Sequence, residues 1–230
     1  MKKKIIILTG AGISAESGLQ TFRDSDGLWE GYNVEDVATP EAWARNPELV
    51  QNFYNERRKA VLDAKPNAAH LALAELEKHF DTLIITQNID DLHEKAGSKS
   101  IIHLHGEIAY ARSSKNPALL YKLEKPTIEM GELCRLGSQL RPHVVWFGEQ
   151  VPMISKAMHE MPQADIVILV GSSLAVYPAA GLLELAKPGI PVYVVDPKIP
   201  NVNLPKNVVR IEEKASIGVP KLVKELIEGE

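Results

Sequence analysis

The fold is decided by the stretch KIIILTGAGISA at residues 4–15, where a β-branched apolar run leads directly into a glycine-rich turn. The run predicts a buried strand. Gly10 and Gly12 follow it in the strand, G-x-G-x-x-A, helix arrangement that brings backbone N–H groups against a pyrophosphate. The turn therefore predicts a dinucleotide site, and the alternative is a tight strand-to-helix turn that binds no ligand.

Similar apolar runs recur along the chain, separated by stretches long enough for helices. They lie at residues 83–86, 144–147, 166–170 and 192–196. This alternation of predicted strands and helices is typical of an α/β fold built on a parallel sheet. Asn46-Pro47 and Pro66-Asn67 predict the starts of helices over 49–64 and 68–79, which we expect to form a helical insertion near residues 40–80.

The segment from 109 to 140 does not continue this alternation of strands and helices, because its polar residues, prolines and glycines are scattered without a clear period. It predicts a small-module insertion near residues 107–140, inside a single domain that spans residues 1–230. Residues 218–230 have the pattern of a terminal amphipathic helix.

Charge and apolar pattern exclude several classes of partner. The 230 residues carry a formal net charge of -4 and a pI near 6.0, so nucleic acid is not an expected partner. The first apolar run ends too early for a signal peptide or a membrane span, which predicts a cytoplasmic protein with no membrane partner. No pattern specifies an oligomeric state.

The loop after the glycine turn departs from the dehydrogenase pattern. A dehydrogenase carries an acidic residue about twenty positions after the turn, at the end of a second strand, to hold the adenosine ribose. Here residues 16–29 form a polar, glycine-punctuated stretch, ESGLQTFRDSDGLW. Its length and composition predict a segment that folds over a bound cofactor.

Ordered motifs extend this pattern over most of the chain. Besides residues 10–17 and 21–23, they are TQNID at 86–90, HG at 105–106, RPHVVWFGE at 141–149 and GSS at 171–173. In this order they resemble the sirtuin family from about Ile5 to Asp196. The resemblance implies a Rossmann-type parallel sheet with helices on both faces, plus a small inserted module.

The resemblance also implies a reaction and a cofactor site. Sirtuins consume NAD as a co-substrate and move the acyl group of an acyl-lysine protein or peptide to ADP-ribose, giving nicotinamide, O-acyl-ADP-ribose and free lysine. The residues that match the family's cofactor contacts are Gly10, Ala11, Gly12, Ala15, Glu16, Thr21, Phe22, Arg23, Trp29, Gln87, Asn88, Ile89, Asp90, Gly171, Ser172, Ser173, Asp196 and Ala215.

The family pattern makes His105 the catalytic base, with Asn88 as a second catalytic residue. A neutral imidazole accepts a proton near physiological pH, and Gly106 lets a ribose approach the backbone. Without the family resemblance, a structural histidine is the favoured interpretation of His105. His103 could share a strand face with it and imitate a metal pair, but no motif supplies the remaining ligands, so we expect no metal.

Residues 87–90 offer polar groups that suit a nucleotide. Asn88 can hold ribose hydroxyls or a water, Gln87 is placed for the ribose, and Asp90 can accept from the nicotinamide carboxamide while Ile89 walls its ring. The competing interpretation is that these residues cap a helix that begins near residue 91.

Two further cofactor positions come late in the chain. Asp196 ends a predicted strand and can serve the adenosine ribose, although a turn before Pro197 explains it almost equally well. Ala215 matches the family position beside the adenine.

Tyr54 and Arg57 are three residues apart on a predicted helix, so a phenol and a guanidinium share one face and can hold a carboxylate. The pair resembles the Tyr-x-x-Arg element of class III sirtuins, and Ala38 matches the small residue that widens their acyl pocket. This implies desuccinylation or demalonylation, with deacetylation second. Without the family, a solvated basic face is favoured. The remaining substrate positions implied by the family are Val145, Trp146, Phe147 and Gly148.

The chain departs from the family in its cysteines. Most sirtuins hold a structural zinc with four cysteines, whereas the matching interval here contains only Cys134, the single cysteine of the chain. A tetrahedral thiolate site is excluded, so we expect no zinc. Apolar packing must then hold the module, through residues such as Tyr110, Leu119, Leu120, Tyr121 and Leu133. The rival functions are a mono-ADP-ribosyltransferase and an NAD or ADP-ribose binding module without turnover.

Overall fold

The computed structural model describes residues 2–20, 28–29, 31–173, 176–199 and 207–229, with the backbone alone for 28 and 29. In chain order the strands are β1 (Lys4–Thr9), β2 (Leu28–Trp29), β3 (Tyr32–Asn33), β4 (Asp81–Thr86), β5 (Ile101–His103), β6 (Gly106–Ser113), β7 (Leu120–Lys122), β8 (Leu140–Val144), β9 (Ile166–Val170), β10 (Val192–Val195) and β11 (Val208–Ile211). The α-helices are α1 (Val34–Val37), α2 (Pro40–Arg45), α3 (Pro47–Asp63), α4 (Ala68–Leu76), α5 (Leu92–Ala96), α6 (Ile154–Glu160) and α7 (Ala215–Glu228).

The central sheet confirms the predicted parallel architecture. Its six strands lie in the order β11-β10-β9-β1-β4-β5, and every neighbouring pair is parallel. Ile5, Ile6 and Ile7 of β1 are fully buried, since β1 lies between β4 and β9 and both faces of the sheet are covered. This explains why the run at residues 4–9 is apolar throughout instead of alternating.

Helices cover both faces of this sheet, as the resemblance implied. On one face, α4 and α7 pack over a cluster that includes Ile5, Ile84, Ile168, Leu73, Val219 and Leu222. On the other face, α6 and a 3-10 segment at Ala179–Leu185 pack over a cluster that includes Ile6, Leu8, Ile85, Leu169, Ala157 and Leu182. Within the described part of the chain, no helix combines the length and apolarity needed to cross a membrane.

The predicted helix starts are confirmed, and the predicted grouping of the helices is corrected. The Asn46 side chain accepts from the Leu49 N–H at 3.1 Å, and the Asn67 side chain accepts from the Ala69 N–H at 2.9 Å. However, α4 ends at Leu76 and packs with α7 on the sheet, because its apolar face continues the sheet's core. The helices that stand apart from the sheet are therefore α1, α2 and α3.

A three-stranded antiparallel sheet, in the order β7-β6-β8, forms the small module. The run at 144–147, predicted as a strand of the parallel sheet, instead begins at the last residue of β8 in this second sheet and continues beyond it. The module's apolar cluster is small and consists of Ala111, Ile128, Cys134 and Leu140, with Leu119, Tyr121 and Leu123 packed against it. Leu120 and Leu133 are 48% and 55% exposed, so their predicted role in this packing is wrong.

Buried polar side chains of α3 tie the module to the rest of the chain. Asn55 exchanges two hydrogen bonds with the backbone of Ile128, at 3.0 and 2.9 Å. Arg58 donates to the carbonyl oxygens of Ile108 and Pro126, at 2.7 and 3.3 Å. These contacts supply the attachment that the small apolar cluster alone does not.

Candidate active site

A cavity of about 400 Å³ opens where β1, β4 and β9 end, and α3 and the segment after β8 close its other side. This is the edge of a parallel α/β sheet at which ligands bind. Of the predicted site residues, those that line the cavity are Gly10, Ala11, Gly12, Tyr54, Arg57, Gln87, Asn88, Ile89, Asp90, His105, Val145, Trp146, Phe147, Gly148, Gly171, Ser172 and Ser173.

The floor of the cavity is formed by two backbones in direct contact. The Gly12 N–H donates to the Gly171 carbonyl oxygen at 2.9 Å, and a Cβ on Gly12 would lie 2.7 Å from the Gly171 Cα. Gly171 has φ +61°, and a Cβ there would lie 2.3 Å from the Ile13 nitrogen. Both positions therefore require glycine.

The predicted helix after the glycine turn is absent, and two 3-10 turns at Ala11–Ile13 and Ala15–Ser17 take its place. The N–H groups of Gly12, Ile13 and Ser14 donate to the carbonyl oxygens of Gly171, Gly10 and Ala11, at 2.9, 3.2 and 3.1 Å, so these hydrogen bonds fix the shape of the turn. Gly10 and Gly12 line the cavity floor without side chains, which leaves room for the pyrophosphate of a dinucleotide to approach the backbone.

Three buried polar side chains connect the ends of β1 and β4. Asn88 donates to the Gly10 carbonyl oxygen at 3.2 Å and to Ser14 Oγ at 3.1 Å, and Ser14 Oγ donates to Asp90 Oδ2 at 3.0 Å. Asp90 Oδ1 also accepts from the Leu92 N–H at 3.2 Å, so the predicted capping role is present beside the cavity-lining position. Burial raises the pKa of Asp90 despite these hydrogen bonds.

His105 lies where the sheet meets the small module, and its environment suits a base. Its Nδ1 is 3.0 Å from the Gln87 carbonyl oxygen, which can only accept, so Nδ1 carries the proton and Nε2 keeps the basic lone pair. Burial lowers the pKa of His105, against the opposing effect of the Gln87 carbonyl. The imidazole is therefore neutral at physiological pH and able to accept a proton.

Tyr54 and Arg57 lie on the cavity side of α3. Tyr54 is fully buried and Arg57 is 7% exposed, so the interpretation of a solvated basic face is wrong for this part of the helix. Burial raises the pKa of Tyr54, and the positive charge of Arg57 acts on Tyr54 and on Asp90. A protonated phenol and a guanidinium thus stand together in the wall. Ala38, 2% exposed, lines the same cavity.

Four predicted cofactor residues lie away from the cavity lining. Glu16 accepts from the Ser216 N–H and Oγ–H at 3.0 and 2.7 Å, next to Ala215 at the start of α7. Ala215 is buried in the sheet cluster, and Asp196 accepts from the Lys198 N–H at 2.9 Å, the turn contact that was the alternative. Ala15 belongs to the second 3-10 turn. Thr21, Phe22, Arg23 and the side chain of Trp29 fall outside the described residues.

The described residues contain one group of three side chains close enough to share a metal ion. Ligand atoms of Glu94, His103 and Glu107 lie within 4.8 Å of one another. Their existing contacts explain the cluster, because His103 Nε2 is 2.7 Å from Glu94 Oε1 and Nδ1 is 3.2 Å from the Asn88 carbonyl oxygen. His103 therefore supports the loop that carries Asn88.

Sequence reasoning missed several residues that line the cavity, and two of them, Ser14 and Glu149, make hydrogen bonds that connect parts of the site. Ser14 joins Asn88 to Asp90, and its only signal was its position inside the glycine motif. Glu149 lines the cavity and binds two arginines, and it was quoted only as the last letter of RPHVVWFGE. No local sequence pattern predicts that a serine or a glutamate will connect other side chains in this way.

Comparison with known proteins agrees with this geometry. A model described as "Sir2 family" matches residues 10–178. A Helicobacter pylori protein described as "NAD-dependent protein deacylase" is 52% identical over 226 residues, covering 98% of both chains, and a Bacteroides thetaiotaomicron protein of the same description is 50% identical over 230 residues, covering 98% of both.

Solved structures agree over almost the full length. A Sir2 homologue mutant in complex with ADP-ribose superposes with a TM-score of 0.90 at 40% identity, covering 99% of this chain and 93% of that chain. A complex of a Sir2 homologue with NAD gives a TM-score of 0.88 at 39% identity, covering 99% and 91%. On these sequence and structural matches, the chain belongs to the Sir2 family.

Proposed function

We propose that this protein is an NAD-dependent protein-lysine deacylase that prefers acyl groups ending in a carboxylate, succinyl or malonyl, and accepts acetyl groups second. The observation that carries the preference is the buried pair of Tyr54 and Arg57 in the cavity wall. Acylated lysine in proteins or peptides is the proposed substrate.

The preference follows from the charge of the wall. A guanidinium that is almost shielded from water interacts strongly with a carboxylate, since a hydrogen bond to a charged group is worth about 1.5–3 kcal/mol. Tyr54, held protonated by burial, adds an O–H donor to the same carboxylate. An acetyl group fits the same space but offers no charge to either residue.

The residues at the other end of the cavity have separable roles. Bound NAD supplies the ADP-ribosyl group that receives the acyl group. His105 Nε2 accepts a proton from a ribose hydroxyl, and the Gln87 carbonyl oxygen keeps the imidazole in the required tautomer. The hydrogen bonds among Asn88, Ser14 and Asp90 hold residues 87–90 in a fixed position relative to the glycine turn.

Product analysis tests the reaction class. The protein is incubated with NAD and acetyl-, malonyl- or succinyl-lysine peptides, and the products are identified by mass spectrometry. Nicotinamide, O-acyl-ADP-ribose and free lysine in equal amounts support the deacylase. An ADP-ribosylated protein would instead establish a transferase, and NAD binding without products a binding module.

Arg57→Met tests the acyl preference. We expect kcat/KM for the succinyl peptide to fall about tenfold to a hundredfold while the acetyl peptide is spared. Lys59→Met is the matched control, because it removes one positive charge from the exposed face of the same helix. Equal losses with both peptides would show that Arg57 only supports the fold, and no loss would remove the basis for the preference.

A further inference from the structure

Glu149 is the meeting point of the small module and the segment that lines the cavity. Its two oxygens accept from Arg112 Nη2 at 3.0 and 2.9 Å, and from Arg141 Nη1 and Nη2 at 2.7 and 3.2 Å. Oε2 also accepts from the Trp146 N–H at 2.9 Å. One carboxylate thus joins strand β6, strand β8 and the segment at residues 145–148.

The charge balance makes this carboxylate hard to replace. The side chains of Arg112, Arg141 and Glu149 are 9%, 7% and 21% exposed, so two shielded cations depend on one anion. Burial raises the pKa of Glu149, but the hydrogen bonds and charge of Arg141 outweigh it and hold the pKa below its ordinary value. Breaking a buried pair leaves an uncompensated charge, which costs more than the pair contributes.

The same cluster reaches the acyl end of the cavity through one aromatic ring. The Arg141 guanidinium carbon lies 3.1 Å from the centroid of the Trp146 ring, and Arg141 Nη2 donates to the Val144 carbonyl oxygen at 2.9 Å. The Trp146 ring is 6.4 Å from the Tyr54 ring, centroid to centroid. Beyond it, the Phe147 N–H donates to the Ala38 carbonyl oxygen at 3.0 Å.

We infer that Glu149 is a positioning residue, which with Arg112 and Arg141 fixes residues 145–148 so that the acylated lysine is aligned with the cavity. The inference rests on the proposed deacylase function but not on its acyl preference. Glu149 acts through the backbone of Trp146 and through its ring. Its loss should weaken the use of every acyl peptide alike.

Glu149→Gln tests this with a side chain of the same shape. We expect KM for acetyl and succinyl peptides to rise about tenfold together, with kcat within about threefold and ADP-ribose affinity unchanged. Arg57→Met should change kcat/KM for the succinyl peptide alone. The hypothesis on acyl preference and the inference on Glu149 can therefore be refuted separately. Lys125→Gln is the matched control in the same module, since it breaks an exposed ion pair with Glu132.

Two further measurements keep the inference open to refutation. Arg112→Gln leaves one arginine for one carboxylate, so it is the variant to use if Glu149→Gln does not fold, and KM should rise about threefold. Hydrogen exchange in Glu149→Gln measures directly, without a substrate, how firmly residues 145–148 are held. The Trp146 and Phe147 amides should lose protection in this variant, while the amides of β9 should not. An unchanged peptide KM, retained protection, or an equal loss of ADP-ribose affinity would overturn the inference.

Discussion

The two walls of the cavity are held in different ways. The sheet-side wall, which consists of residues 10–14, 87–90 and 171–173, is fixed by backbone hydrogen bonds and glycine contacts at the ends of buried strands, and the side chains of Ser14, Asn88 and Asp90 connect it. The module-side wall, residues 145–149 with Tyr54 and Arg57, combines two supports. Tyr54 and Trp146 belong to a buried apolar cluster that also contains Phe53, Ile108 and Val144, and charged side chains hold the segment at Glu149. The first wall relies on backbone contacts between strand ends, and the second relies on side-chain packing together with one cluster of charged side chains.

The largest effect is expected from His105→Ala, next to the sheet-side wall, where His105 contacts Gln87. Losing a general base costs about a hundredfold to ten-thousandfold in turnover. Affinity for NAD should stay close to wild type, because the base acts in the transition state. Steady-state kinetics and calorimetric NAD titration check this, with exposed His159→Ala as the control. Turnover within about threefold of wild type would exclude His105 as the base.

The next largest effect is expected from acid, which should lower the free energy of unfolding. Two histidines, His70 and His93, are buried close to the sheet-side wall. Burial lowers the pKa of His70 to about 4 and of His93 to about 3, and their rings lie 5.0 Å apart. Both are neutral when folded but protonate near pH 6.5 when unfolded, so the unfolded state gains protons first. The free energy of unfolding should therefore fall as the pH drops from 6.5 to 5, by up to about 1.4 kcal/mol per pH unit for each histidine.

Urea unfolding at several pH values measures this slope. His70→Gln keeps a side chain that can accept from the N-cap of α4 and should remove one histidine's share of the slope. His159→Gln, at an exposed position, should leave it unchanged. A wild-type stability that is flat over this range would contradict the prediction.

The module-side wall should respond to Arg58→Met, which keeps the apolar stem but removes the donors to Ile108 and Pro126. Unsatisfied buried carbonyls cost about 1–3 kcal/mol. We expect faster hydrogen exchange in β6 and β7, with β1 and β9 unaffected. Equal loosening of both sheets would mean that the two walls are one cooperative unit.

The smallest effect is expected from metal removal. With one cysteine, the module offers no tetrahedral thiolate site, so a strong chelator should leave the melting temperature unchanged. Elemental analysis should find no stoichiometric zinc. A melting temperature that drops on chelation, with one zinc per chain, would direct attention to Glu94, His103 and Glu107.

The two walls also differ in how well sequence predicts them. The sheet-side wall was predicted closely, because strand periodicity and glycine requirements are local and leave a pattern in the chain. The module-side wall and the small module behind it were predicted only in part. Leu120 and Leu133 were expected inside and are exposed, and Glu149 was overlooked, because an ion cluster joins residues that no period relates. The cofactor roles of Asp196 and Ala215, which rest on the family resemblance, stay predictions.

The central place of β1 has a consequence for how the chain is made. β1 pairs with β4 on one side and with β9, more than 150 residues later, on the other. A nascent chain that has not reached Ile166 therefore carries its most apolar strand with one bare edge, which is the usual template for pairing with other chains. N-terminal fragments that end before β9 should aggregate. The glycine turn at residues 10–15 should reach its final shape only late in synthesis, once Gly171 is available to accept the hydrogen bond from Gly12.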